Sequence, residues 1–141
     1  MILTRHLLTV VIFSRSATQV VLEPVSKVEL DAYTDSEPVS FSLDLICDSD
    51  MLSPELTIFG PITKGQGNSL TTAPGENTAW GVGIQVLFNA QAIEIGKPLL
   101  LTRLKHSDGR LTLPLAARYH KIDDITPGEV ETHLTIKINY P

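Results

Sequence analysis

The chain carries one cysteine, Cys47, so no intramolecular disulfide can close and neither a CxxC pair nor a multi-thiolate zinc site can be built. Aromatic residues are scarce at 6%, with a single tryptophan, Trp80. Basic clusters are missing too. The 11 lysines and arginines are scattered and the formal net charge is -5, which offers no broad attraction to nucleic-acid phosphates or anionic lipid. No apolar run approaches the roughly 20 residues of a transmembrane helix. Catalytic spacings are equally thin. His6, His106, His120 and His133 are isolated, and Asp123 and Asp124 are neighbours in a turn, where solvation is the expected state. The glycine-rich "GPITKGQG" lacks phosphate-loop spacing. Nothing in the chain points to an enzyme or to a cofactor.

What remains is alternation. The hydrophobic content is 43% over 141 residues, enough for one ordered domain. In "PVSFSLDLIC", Val39, Phe41, Leu43, Leu45 and Cys47 fill every second position, so period two sets them on one face of a half-buried strand. On that face Cys47 reads as a buried, inert thiol. "RLTLPLAARYH" repeats the pattern with Leu111, Leu113, Leu115, Ala117 and Tyr119, and the last ten residues, "THLTIKINYP", repeat it with Leu134, Ile136, Ile138 and Tyr140. His133 is out of phase with that row and faces solvent. "AWGVGIQVLFNAQAIEIG" reads as a hairpin turning near Asn89 and Ala90, with Ile93 and Ile95 on the return strand. Gly81 and Gly83 in its first arm require a close backbone approach or a bend.

Shorter pieces complete the count. "QVVLEPVSKVEL" reads as a strand through Val21, Val25, Val28 and Leu30, interrupted or held to an edge by Pro24. "ELTIFG" is another strand, residues 63–79 form a polar surface loop with room for a short strand within it, and "DDITPGEV" is the turn before the final strand. About six or seven strands without a long helical period make an all-β sandwich, and propensity alone leaves immunoglobulin-like, jelly-roll and barrel arrangements open. The N-terminus, "MILTRHLLTVVIFSRSATQ", has a basic residue, a short apolar run and small residues, the outline of a weak signal peptide. Residues 1–17 are therefore set apart as a signal peptide or altered N-terminus, and 18–141 as the domain.

"FSLDLICDSD", "GVGIQVLFNAQAIEIG" and "LTLPLAARYHKIDDITPGEVETHLTIKINYP" together resemble the pilin domain of bacterial chaperone–usher fimbriae of the type 1 kind, including the pilin half of tip adhesins. The resemblance covers residues 25–141 and is most specific in the C-terminal third. It implies an immunoglobulin-like sandwich that is incomplete, missing its last strand, with a hydrophobic groove beside the C-terminal strand. The implied occupant of the groove is a donor strand, first from a periplasmic pilus chaperone and then from a neighbouring fimbrial subunit after passage through an outer-membrane usher. Leu134, Ile136, Ile138 and Tyr140 become the pairing row, because an alternating strand at a sheet edge invites strand addition. The expected location is the periplasm in transit and then a fimbrium on the bacterial surface, with adhesion to a host glycan through an associated adhesin.

Two departures accompany the resemblance. Pilin domains hold a disulfide that would require a partner for Cys47, and this chain has none; losing such a bridge costs a small domain about 2–5 kcal/mol. A polymerising subunit also carries an alternating donor segment with a glycine. "HLLTVVIFSRS" sets Leu8, Val10 and Ile12 on one face but has no glycine, so it is either a donor strand or a signal remnant. The rival reading is a self-contained carbohydrate-binding sandwich using Trp80 and the 63–79 loop, although the preferred reading of Trp80 itself is packing at the end of the sandwich.

Overall fold

Alternation of apolar and polar residues becomes strands nearly everywhere. A computed structural model describes residues 5–12, 16–22, 25, 27–46, 55–63, 66–71, 78–100, 106–107, 110–126 and 128–139. Twelve strands and one helix are described: β1 (Arg5–Ile12), β2 (Ser16–Val21), α1 (Lys27–Tyr33), β3 (Val39–Ile46), β4 (Glu55–Phe59), β5 (Ile62–Thr63) and β6 (Gln66–Thr71) in the first half. β7 (Trp80–Phe88), β8 (Gln91–Ala92), β9 (Leu99–Leu100), β10 (His106–Ser107), β11 (Arg110–Thr126) and β12 (Glu129–Asn139) follow. One sheet has the order β2-β1-β12-β4-β9; the other runs β10-β11-β7-β6-β5, with β3 also on β11 and β8 on β7.

The core lies between the sheets. Leu56, Ile58, Val130, Leu134 and Ile136 come from the first sheet, and Leu43, Leu70, Val82, Ile84, Val86, Leu113, Leu115, Ala117 and Tyr119 from the second. Each fully buried side chain of this size contributes about 1.5–3 kcal/mol relative to exposure. β7 departs from simple alternation because both of its faces are covered: Gln85 and Leu87 are buried along with Val82, Ile84 and Val86. On the second face, Gln85 Nε2 donates to Asn68 Oδ1 at 3.3 Å and Arg118 Nε donates to Gln85 Oε1 at 3.0 Å. Arg118 also pairs with Asp35 at 3.5 Å, and Asp35 meets His120 Nδ1 at 2.6 Å. That chain of polar contacts stitches β6, β7, β11 and the segment after α1 together, so the burial of Gln85 leaves no polar atom unpaired.

The expected turn at Asn89 and Ala90 forms with φ of 52° and 64°, the paired positive values of a two-residue hairpin turn. The return strand is shorter than expected, only Gln91–Ala92, although Ile93 remains buried and its N–H donates to Val86 O at 2.8 Å. Gly81 has φ +78°, and a Cβ there would collide with the Asp124 carbonyl; one at Gly83 would lie 2.8 Å from Ile122 Cδ1. Close backbone approach is thus the reason for both glycines. It coincides with the register shift of β11 between Lys121 and Thr126, where Asp123 and Asp124 sit exposed inside the strand rather than in a separate turn.

Two further expectations need correction, the segment after Pro24 and the packing of Trp80. The segment after Pro24 is not a strand: residues 27–33 are helical, with Val25 and Leu30 buried and Val28 73% exposed. The helix ends at Thr34, whose φ of 70° and N–H donation to Leu30 O at 2.9 Å make a left-handed cap without glycine. Residues 66–71 are the short strand that the 63–79 loop left room for, β6, which holds Ser69 and Leu70 in the core region. Trp80 does not pack at the sandwich end, because it is 63% exposed at the first position of β7.

Candidate functional site

Period two makes β12 a strand with two unlike faces. Val130, Thr132, Leu134 and Ile136 are buried, whereas His133 between them and Lys137 after them are exposed. The sequence-predicted solvent position of His133 is therefore the observed one, with Glu131 at 3.8 Å from its Nε2. Leu134 and Ile136 stand in the expected row, and Ile138 continues it in register opposite Leu56 of β4. Tyr140 and Cys47 lie outside the described residues. Val130 and Thr132 extend the row toward the strand's start and were not singled out from sequence, although the same spacing of two pointed to them. Thr132 is an exception to the apolar rule, and it is satisfied: its Oγ1 donates to Thr71 O at 2.8 Å, a bond from β12 across to β6.

Backbone pairing decides what this strand can do. On one side β12 runs antiparallel to β4, from Thr135 opposite Phe59 to Asn139 opposite Glu55. On the other side it runs parallel to β1, from Arg5 opposite Glu129 to Ile12 opposite Ile136. The position expected to be open beside the C-terminal strand is thus occupied by the chain's own N-terminal strand. The alternating residues of β1 match the row: Leu8 stands opposite Thr132, Val10 opposite Leu134 and Ile12 opposite Ile136. β2 then covers the far side of β1 in antiparallel register, Leu7 opposite Val21 to Ile12 opposite Ser16. A strand of sequence-distant origin therefore completes the sheet, and it is inserted rather than appended.

Tyr119 anchors the opposite sheet. It is buried at 1% exposure, its N–H donates to Ser36 Oγ at 2.9 Å, and burial pushes its phenol pKa well above the usual tyrosine value. A cavity of about 280 Å³ beside it is lined by Leu22, Val25, Ser36 and Val39 among others. Among the described residues no group of three or more histidine, cysteine, aspartate and glutamate side chains is arranged to hold a metal ion. The site offers backbone hydrogen bonds and apolar surface, which is the chemistry of strand addition.

The S-fimbrial protein subunit SfaH of Escherichia coli is 30% identical over 114 residues, covering 81% of this chain and 37% of that protein. The Fimbria adhesin protein of Klebsiella pneumoniae is 36% identical over 80 residues, 55% of this chain and 25% of that one. The chain spans well under half the length of these curated relatives. Among solved structures, the P pilus rod subunit PapA matches with a TM-score of 0.66 at 22% identity, covering 83% of this chain and 88% of that chain, a likeness that shows the immunoglobulin-like pilin fold. The family model described as fimbrial protein matches residues 12–141, nearly the whole sequence, and the chain belongs to that family.

Proposed function

We propose that the chain is a structural or adhesin-associated subunit of a surface fimbria, assembled by donor-strand complementation, with no catalytic role. The observation that carries this reading is the pairing of β12: its buried row is completed by a strand from more than a hundred residues away, so the position beside it accepts a strand that the neighbouring chain segments do not supply. Val130, Thr132, Leu134, Ile136 and Ile138 form the acceptor row, with Tyr140 at the chain end beyond it. The partners are a periplasmic pilus chaperone, the outer-membrane usher and neighbouring subunits, met in that order on the way to the cell surface.

Co-expression of the full chain with a periplasmic pilus chaperone tests the reading by the yield of a soluble one-to-one complex. Ile136→Asp should abolish the complex, since it sets an unpaired charge in the buried row, while Lys137→Glu on the opposite face should leave it intact. A folded Ile136→Asp chain that still binds the chaperone would sink the proposal.

The exposed Trp80 favours a second reading, a direct glycan contact, because a sugar stacks on an accessible indole face. Loss of glycan-array binding in Trp80→Ala, with the chaperone complex unchanged, would establish it.

A further inference from the structure

We infer that a cavity between the β7–β8 hairpin and β9 is a binding site for an uncharged pyranose sugar. Its volume is about 440 Å³, within the range of small-ligand sites. The cavity lies where the chain crosses from the second sheet to the first through residues 93–98, and β9 is the edge of the first sheet away from β1 and β2. Among the described residues none of β12 lines it, so the site is separate from the acceptor row.

The wall stands before any ligand arrives. Ile93 N–H donates to Val86 O at 2.8 Å, Ile95 N–H to Gly67 O at 2.8 Å and Gly96 N–H to Ile58 O at 2.7 Å, which pins the crossing to β7, β6 and β4 in turn. The Asn89–Ala90 turn and Gly96, at φ +83°, set the bends on either side. A wall held at three points loses little freedom on binding, so weak contacts are enough to hold a ligand.

The lining selects the ligand's chemistry. Phe88, Ile93, Leu99 and Leu100 supply apolar surface, and Leu100 is left 50% exposed. Asn89, Gln91, Glu94 and Lys97 supply the polar part: two carboxamides that both donate and accept, one carboxylate that accepts and one ammonium that donates. Glu94 and Lys97 meet at 2.7 Å, so the lining is neutral as a whole. Such a lining suits a molecule with an apolar face, an edge of groups that donate and accept, and no net charge. A pyranose has a C–H face and a rim of hydroxyls. An alkyl chain would cover the polar groups without pairing them, and a charged ligand would have to compete with the Glu94–Lys97 pair. The site is also distinct from an indole contact at Trp80: Trp80 and Phe88 open and close β7, about 26 Å apart at the rise of a strand, too far for one sugar to touch both.

The test uses the full chain labelled with nitrogen-15, with methyl α-mannoside, methyl β-glucoside and methyl β-galactoside as probes at millimolar concentration. At least one of the three should move amide signals within residues 88–100 and leave the Trp80 indole N–H in place. Gln91→Ala and Glu94→Ala, both at exposed positions, should each weaken that binding at least threefold, and Trp80→Ala should not change it. Four results would overturn the site: no response of residues 88–100 to any of the three sugars, full binding by both cavity variants, equal binding of cyclohexanol, or tighter binding of a methyl glucuronide. Shifts confined to the Trp80 indole would overturn it as well and move sugar binding to the other end of β7. The chaperone complex should form with all of these variants, so loss of the sugar site leaves the strand-pairing reading standing.

Discussion

β11 and β12 are the two longest strands, and both bury alternate residues, yet they are held in opposite ways. β11 is clasped by antiparallel neighbours, β3 over residues 110–117 and β7 over 116–126. It is reinforced by side chains: Arg118 and His120 reach Asp35, Lys121 pairs with Asp31 at 2.8 Å, and the Tyr119 N–H is bonded by Ser36. β12 has one antiparallel neighbour and one parallel one, with Thr132 as its described cross-sheet side-chain bond. The same sequence pattern thus stands in two settings. In β11 the two long neighbours are both antiparallel, and in β12 one neighbour is parallel and comes from the other end of the chain.

The sharpest break in this comparison would come from matched truncations. Ile136→Ala in β12 and Leu115→Ala in β11 should each lower stability by about 2–5 kcal/mol in urea unfolding, because both side chains are buried and leave a cavity. Added chaperone should recover part of the loss in Ile136→Ala and none in Leu115→Ala. Gly81→Ala should cost about 3 kcal/mol, combining a left-handed backbone with collision against the Asp124 carbonyl, and should disturb only the β7–β11 side.

A pH titration probes β11 from within. The folded pKa of Tyr119 lies above its unfolded value, so its contribution is intact below about pH 10 and is lost as pH rises beyond it, at about 1.4 kcal/mol per pH unit. Absorbance at 295 nm should show this phenol ionising together with unfolding; ionisation in the folded chain at the ordinary value would contradict its burial. Hydrogen exchange should then find amides of the β1–β12 ladder at least tenfold less protected than those of the β7–β11 ladder, about 1.4 kcal/mol in opening free energy. The smallest effect belongs to Thr132→Val, about 1 kcal/mol by thermal unfolding, for the lost bond to Thr71 O.

Reading strands from the sequence worked where one face is buried and one is wet. β3, β11 and β12 are of that kind, and the hairpin turn at Asn89 and Ala90 announced itself by residue type. The helix α1 was hidden because seven residues are too few to display a 3.6-residue period, and Val25, Val28 and Leu30 fit a broken strand equally well. β6 was legible only as room for a short strand within a loop, without its bounds: Gln66, Gly67, Asn68 and Ser69 carry little strand propensity, and the pairing of Leu70 and Thr71 with β7 holds the segment. Of the site, Leu134 and Ile136 were legible, whereas Thr132 looked polar and only its bond to Thr71 explains its burial. The alternation of Leu8, Val10 and Ile12 was visible too. Their opposite numbers were not, since period two reports a face and says nothing about a neighbour more than a hundred residues away.

That separation also sets a clock. The first sheet is ordered β2-β1-β12-β4-β9, so its central strand is the last of the twelve in chain order. Until β12 emerges, β1 and β2 have only each other, and β4 has only the two-residue β9. A two-stranded hairpin is marginal in water, and contacts of such long range form slowly. A sheet whose central strand is made last cannot close until that strand is available, whatever the other sheet has already formed.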